Sequence, residues 1–136
     1  MSDSFHGSCL CGAVAYHAEG ELLRFYHCHC SRCRKASGSG HATNLIVKRA
    51  RLDWRRGEDA LVRYRVPEAE RFYTLFCRYC GSPLPRDVPE LEAIVIPAGS
   101  LDHEIPHMPQ ARIFHGSRAG WSCAGDDLSV FEEYPE

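Results

Sequence analysis

The sequence predicts a mainly β domain, and three observations carry that prediction. Short runs rich in branched and aromatic residues recur from Gly12 to Phe114. Glycine and proline are spread between these runs instead of gathering in a linker, as expected for short elements joined by turns. Helical signals are confined to one or two short turns. With no repeat and no low-complexity tract, one domain over residues 1–136 is expected.

The elements follow in chain order. Gly12 to Ala18 alternates around Val14 and Tyr16 and reads as a strand. Ser31 to Ser37 is the best helix candidate, with Ser31 as N-cap and Gly38 as stop. His41 to Lys48 sets Thr43, Leu45 and Val47 on one face of a strand. A second helical turn is expected just before Trp54. Leu61 to Val66, Phe72 to Phe76, Ala93 to Ile96 and Arg112 to Phe114 are further short strands. Pro83, Pro85, Pro89, Pro97, Pro106 and Pro109 fall between strands, where proline is tolerated.

Seven of the eight cysteines fall into three clusters: Cys9 and Cys11; Cys28, Cys30 and Cys33; Cys77 and Cys80. Thiolates spaced by one or two residues can close on one soft ion, so the clusters predict zinc. Residues i and i+2 of a strand share a side, so Cys9 and Cys11 can face one ion. Gly12 follows Cys11 and Gly81 follows Cys80, and a glycine there lets the chain turn behind the ligand and aim N–H groups at sulfur. The two pairs look like matching halves of a four-thiolate site, which is structural because no position is left open. Cys28, Cys30 and Cys33 supply only three thiolates. Their fourth ligand can be His27, His29, Cys123, water or substrate, and three protein ligands with an open position is the pattern of a reactive zinc. Cys33 starts the short helix, where the dipole favours a thiolate. Spacing alone also permits other groupings of the seven thiols.

A disulfide framework is the competing reading of an even cysteine count. The N-terminus MSDSFHGSCLCG has no basic stretch followed by an apolar one, which predicts no secretory leader and a reducing, cytoplasmic setting. No apolar run approaches membrane-spanning length, so no membrane partner is expected. The formal net charge is −2, and ionised thiolates outnumbering the charge of two bound zinc ions make it more acidic still. That balance argues against nucleic acid as a partner.

The segments GSCLCGAVAY (Gly7 to Tyr16), CHCSRCRKASGS (Cys28 to Ser39) and FCRYCGSPL (Phe76 to Leu84) together resemble the glutathione-dependent formaldehyde-activating enzyme family, which includes centromere protein V. IFHGSRAGW (Ile113 to Trp121) and LSVFEEYPE (Leu128 to Glu136) resemble its closing strand and C-terminal aromatic segment. The resemblance spans essentially the whole chain. It implies a zinc-clipped β-tent of short antiparallel sheets. It implies a structural zinc on Cys9, Cys11, Cys77 and Cys80, and a second zinc on Cys28, Cys30 and Cys33 beside a glutathione-binding region. It also implies carbon–sulfur lyase-type chemistry on a thiol adduct such as S-hydroxymethylglutathione.

Around the second site, Arg32, Arg34, Lys35 and Arg118 are the candidates to receive substrate carboxylates; the bland reading makes them a solvated face. His29, His27 and His41 can serve as acid–base groups or as ordinary partly exposed residues, and strand alternation turns His29 away from its cysteine neighbours. Trp54 and Trp121 read as core or rim aromatics, and Cys123 as a packed thiol. Two function classes remain: an enzyme of small thiol adducts, or a non-catalytic zinc module that binds glutathione, metal or a protein. The fourth ligand discriminates them, because an exchangeable water or thiol supports chemistry and a side chain closes the site.

Overall fold

The computed structural model of the chain describes residues 2–122 and 127–135, apart from the side chain of Ala50. It is mainly β: β1 (Asp3–Ser8), β2 (Ala15–Cys28), β3 (Ala42–Arg56), β4 (Leu61–Arg65), β5 (Tyr73–Cys77), β6 (Arg86–Val88), β7 (Ala93–Pro97) and β8 (Ala111–Ile113), with one short helix, α1 (Ser31–Ser37). The larger sheet runs β1-β2-β3-β7-β6, antiparallel throughout. β2 is long enough that one edge holds β1 along Ala15 to Gly20 and, in parallel, β8 along Tyr26 to Cys28. β4 and β5 form a separate antiparallel pair.

Two strands run further than expected, and β1 and β6 stand where no strand is expected. β2 continues ten residues past Ala18, and β3 continues through Trp54, where a helical turn is expected. Both extensions escape period-2 reading because the ladder slips between Ala15 and Tyr16, between Glu19 and Gly20, and between Leu22 and Arg24. Each slip moves the following side chains to the other face, which scrambles the alternation. The polar residues of the extensions pair across the ladder, with Glu19 opposite Arg51 and His17 opposite Asp53. Trp54 sits edge-on to Tyr16, ring centroids 6.2 Å apart, at the margin of the core.

The core joins Phe5, Tyr16, Leu45, Val47, Ile94 and Ile96, all essentially inaccessible. Burying each such side chain contributes about 1.5–3 kcal/mol. Cys9 and Cys77 belong to the same cluster, so one of the cysteine groups is built into the edge of the core.

On the opposite side, register decides what shares a face. Residues paired directly across a ladder point the same way. Tyr26 pairs with Asn44 and Asn44 with Pro97; Ile46 pairs with Val95 and Val95 with Arg86; Cys28 pairs with Ile113. These rows form the floor on which the candidate site stands.

Candidate metal centres

The four-thiol group is made by two turns. Cys9 and Cys11 lie in the turn after β1, not in a strand as the spacing suggests. Gly12 donates its N–H to the Cys9 carbonyl at 3.0 Å, and Cys9 N–H bonds the Val14 carbonyl at 3.0 Å. The other turn follows β5, with Gly81 N–H on the Cys77 carbonyl at 2.8 Å. Gly12 and Gly81 have φ of 81° and 76°, a conformation that favours glycine, and this explains the residue after each pair. N–H groups do point at sulfur: Val14 N–H donates to Cys9 Sγ at 3.3 Å and Tyr79 N–H to Cys77 Sγ at 3.4 Å.

The sulfur geometry tests the fit to a metal. Four thiolates at the zinc–sulfur distance form a tetrahedron whose edge is about 3.8 Å. Cys9 Sγ lies 3.7 Å from Cys11 Sγ, and Cys11 Sγ lies 3.8 Å from Cys77 Sγ. All four sulfurs lie within 4.8 Å of one another. The Ser82 hydroxyl, with the Ser82 and Cys11 backbone, draws the Cys80 thiol down to about 5. The Ala13 N–H favours the Cys11 thiolate, yet desolvation and the neighbouring thiols push it up to about 11. Such crowding of negative charge is what a bound dication relieves. The residues fit a closed tetrahedral metal.

The three-thiol group is different. Cys28 ends β2, Cys30 precedes α1 and Cys33 lies in its first turn, and their sulfurs again lie within 4.8 Å of one another. Cys30, not Ser31, is the N-cap: its Sγ accepts the Cys33 N–H at 3.3 Å. Gly38 ends the helix in the left-handed conformation, as expected. Burial pushes the Cys33 thiol up, and Cys30 and Cys28 add to that. Burial also raises Cys30, but the Cys33 N–H and the neighbouring thiols outweigh it and hold Cys30 below the ordinary value. The thiolate favoured by the helix start is therefore Cys30, where Cys33 is expected. Among the described residues no histidine, carboxylate or further cysteine joins the group. Cys123 lies outside the described residues.

His29 is fully buried and is not among the ligand groups that the three thiols gather. Arg112 Nη1 donates to its Nε2 and the Ser122 hydroxyl meets its Nδ1, both at 3.3 Å. It stands edge-on to His41 and His115. His27 and His41 share the Thr43 hydroxyl, at 2.9 and 3.1 Å. Desolvation lowers the basicity of both His27 and His29.

A cavity of about 480 Å³ opens over the three thiols, and one of about 1090 Å³ runs from Cys33 to Cys9. The two share Cys33, Asn44, Phe72, Arg86 and Val95 in their linings. Of the cations picked from sequence, Arg32 lines the smaller cavity. Arg34 and Lys35 line neither, and Arg118 is exposed and bonded to His115, 2.9 Å to its carbonyl. Trp121 is exposed. The cation that sequence reading misses is Arg86. Its signal is faint, the one cation of the proline-bracketed stretch after Gly81, next to the opposite charge of Asp87. It lies on the cavity floor opposite Val95, its guanidinium over the rings of Phe72 and Tyr73 at 4.9 and 5.9 Å.

The family model for the glutathione-dependent formaldehyde-activating enzyme matches residues 4–117. The chain belongs to this family. A search of curated proteins gives no match. A crystal structure of a Rhodobacter sphaeroides protein superposes with a TM-score of 0.60 at 23% identity, covering 79% of this chain and 98% of that one. At that identity the likeness shows the fold alone. The family's match takes in all seven clustered cysteines, from Cys9 to Cys80. Among the described residues no helix is long and apolar enough to cross a membrane.

Proposed function

We propose that the chain holds two zinc ions, a structural one on Cys9, Cys11, Cys77 and Cys80 and a reactive one on Cys28, Cys30 and Cys33. At the second it makes or breaks the carbon–sulfur bond of a small thiol adduct of the glutathione–formaldehyde type. One observation carries the reading: the group with only three thiols leaves a tetrahedral position open, and all three of its cysteines line one cavity. A zinc bound there supplies a Lewis acid with one exchangeable position, which lowers the pKa of a substrate thiol.

The chain's own residues do the rest. Cys28, Cys30 and Cys33 fix the position of the reacting sulfur. Cys30 is held there twice, as ligand and as helix cap. Phe72, Val95 and Ile46 give the cavity apolar walls that limit water around the adduct. In the cleavage direction the C–S bond breaks and sulfur keeps the electron pair. The hydroxymethyl O–H then loses its proton as the carbonyl of formaldehyde forms. A reducing, cytoplasmic setting suits seven thiols kept for metal.

Calorimetry with glutathione on parent and Cys33→Ser protein tests the reading, alongside carbon NMR of labelled formaldehyde mixed with glutathione. Binding that depends on Cys33 and accelerated adduct exchange are expected. Binding without accelerated exchange would make the site a non-catalytic glutathione module, and equal binding by both proteins would remove zinc as the anchor.

A further inference from the structure

Arg86 is a half-buried cation whose Nε is sealed from solvent, and no carboxylate pairs with it among the described residues. Burial holds its guanidinium below its ordinary pKa, with partial offset from Cys33, Tyr73, Cys28 and Cys30. Among the described residues it joins no salt bridge, and the neighbouring Asp87 pairs with Arg49 at 3.1 Å instead. Nη1 is spent on the Tyr73 carbonyl at 2.7 Å, while Nε is buried with no hydrogen-bond partner. A guanidinium has five N–H donors in a flat fork, and leaving such donors unpaired in a buried setting is costly. The cost is understandable if an anion completes the group when ligand is bound. Strand pairing with Val95 and stacking on Phe72 aim Arg86 at the place where the two cavities meet.

Resting on the thiol-adduct reading above, we infer that Arg86 is the specificity-determining anchor for the substrate's carboxylate. The substrate class is then narrower than thiols in general. It is a thiol with a carboxylate on a short spacer, sulfur at the three-cysteine group and carboxylate on the Arg86 fork. The apolar Phe72 and Val95 beside it favour a spacer without further charge. Arg32, Arg34, Lys35 and Arg118 are thereby relieved of this role.

The test uses the zinc-loaded full chain and two probes of equal size, 3-mercaptopropionate and its neutral amide, 3-mercaptopropanamide. Calorimetry should show the parent binding the acid about tenfold or more tightly than the amide, the scale of a charge-assisted bidentate contact. Arg86→Gln should bring the acid down to the level of the amide and leave amide binding and zinc content unchanged. Arg86→Lys should keep part of the preference, because charge survives but the fork does not. The parent's comparison of the two probes needs no variant, so it stands even if Arg86→Gln folds poorly. Equal binding of acid and amide by the parent would overturn the assignment while leaving the thiol site intact. So would an Arg86→Gln protein that weakens both probes alike, since Arg86 would then only balance the charge of the metal-bound thiolates. Binding of neither probe would overturn the thiol-site reading and the Arg86 assignment with it.

Discussion

Replacing Cys77 by serine should damage the fold far more than its size implies. Cys77 is fully buried, closes β5 and belongs to the core cluster. Its sulfur meets that of Cys11 across 66 residues of chain. A cross-link closing a loop of that length restricts the unfolded chain by about 4.4 kcal/mol. The same relation for the short span from Cys28 to Cys33 gives only about 2 kcal/mol. The unfolding entropy of a chain of 136 residues is about 0.29 kcal/mol/K near 60 °C. Losing the clip should therefore lower Tm by roughly 15 °C, before any loss of metal–sulfur bonding is counted. Ring-current or circular-dichroism melting, read together with plasma-emission metal analysis, measures both effects. Parent protein should carry two zinc ions and the Cys77→Ser variant one at most, with the lower melting point. A variant that melts within a few degrees of the parent would refute the four-thiol clip.

Other outcomes follow from the same geometry. Cys30→Ser should lose one zinc but keep α1, because a serine hydroxyl can take over the cap on the Cys33 N–H; Cys30→Ala should lose both and cost about 1 kcal/mol more, seen by chemical denaturation. Acidification should release zinc with uptake of protons by the cysteines, followed with a colorimetric chelator; release that ignored pH would contradict thiolate ligation. Tyr16 is buried with its hydroxyl 2.7 Å from that of Ser100, and burial raises its pKa. The folded state thus favours the neutral phenol, so this contribution is complete below the unfolded value of about 10 and fades as pH rises beyond it. Tyr16→Phe should flatten that alkaline loss in pH-dependent unfolding. A steeper loss in the variant would reverse the assignment.

The thiol groups are legible in the sequence because ligand spacing and the following glycine are local. Gly12 and Gly81 mark their turns whatever the rest of the chain does. The helix is legible too, yet its cap is not, since the eye goes to Ser31 while the sulfur of Cys30 does the capping. The short strands from Leu61 onward lie close to where branched and aromatic runs place them. β1 and β6 escape notice because His6, Arg86 and Asp87 interrupt any apolar pattern. Arg86 illustrates the deeper limit. Its importance depends on pairing with Val95 and on stacking against Phe72, and neither relation is visible until the sheet is assembled.

β2 offers a last consequence. Drawn out straight, its 14 residues would span about 46 Å. Yet the turn beyond one end, with Cys9, and the helix beyond the other, with Cys33, line a single cavity. The ladder slips bend the strand, and Leu23 is the residue left without a partner at one of them. Curvature of the strand thus helps bring its two ends to one chamber. Adding two residues between Gly20 and Phe25 would leave every later side chain on its face. Adding one would turn Phe25 outward and Tyr26 inward. Insertions that the fold tolerates in this strand should accordingly come in even steps.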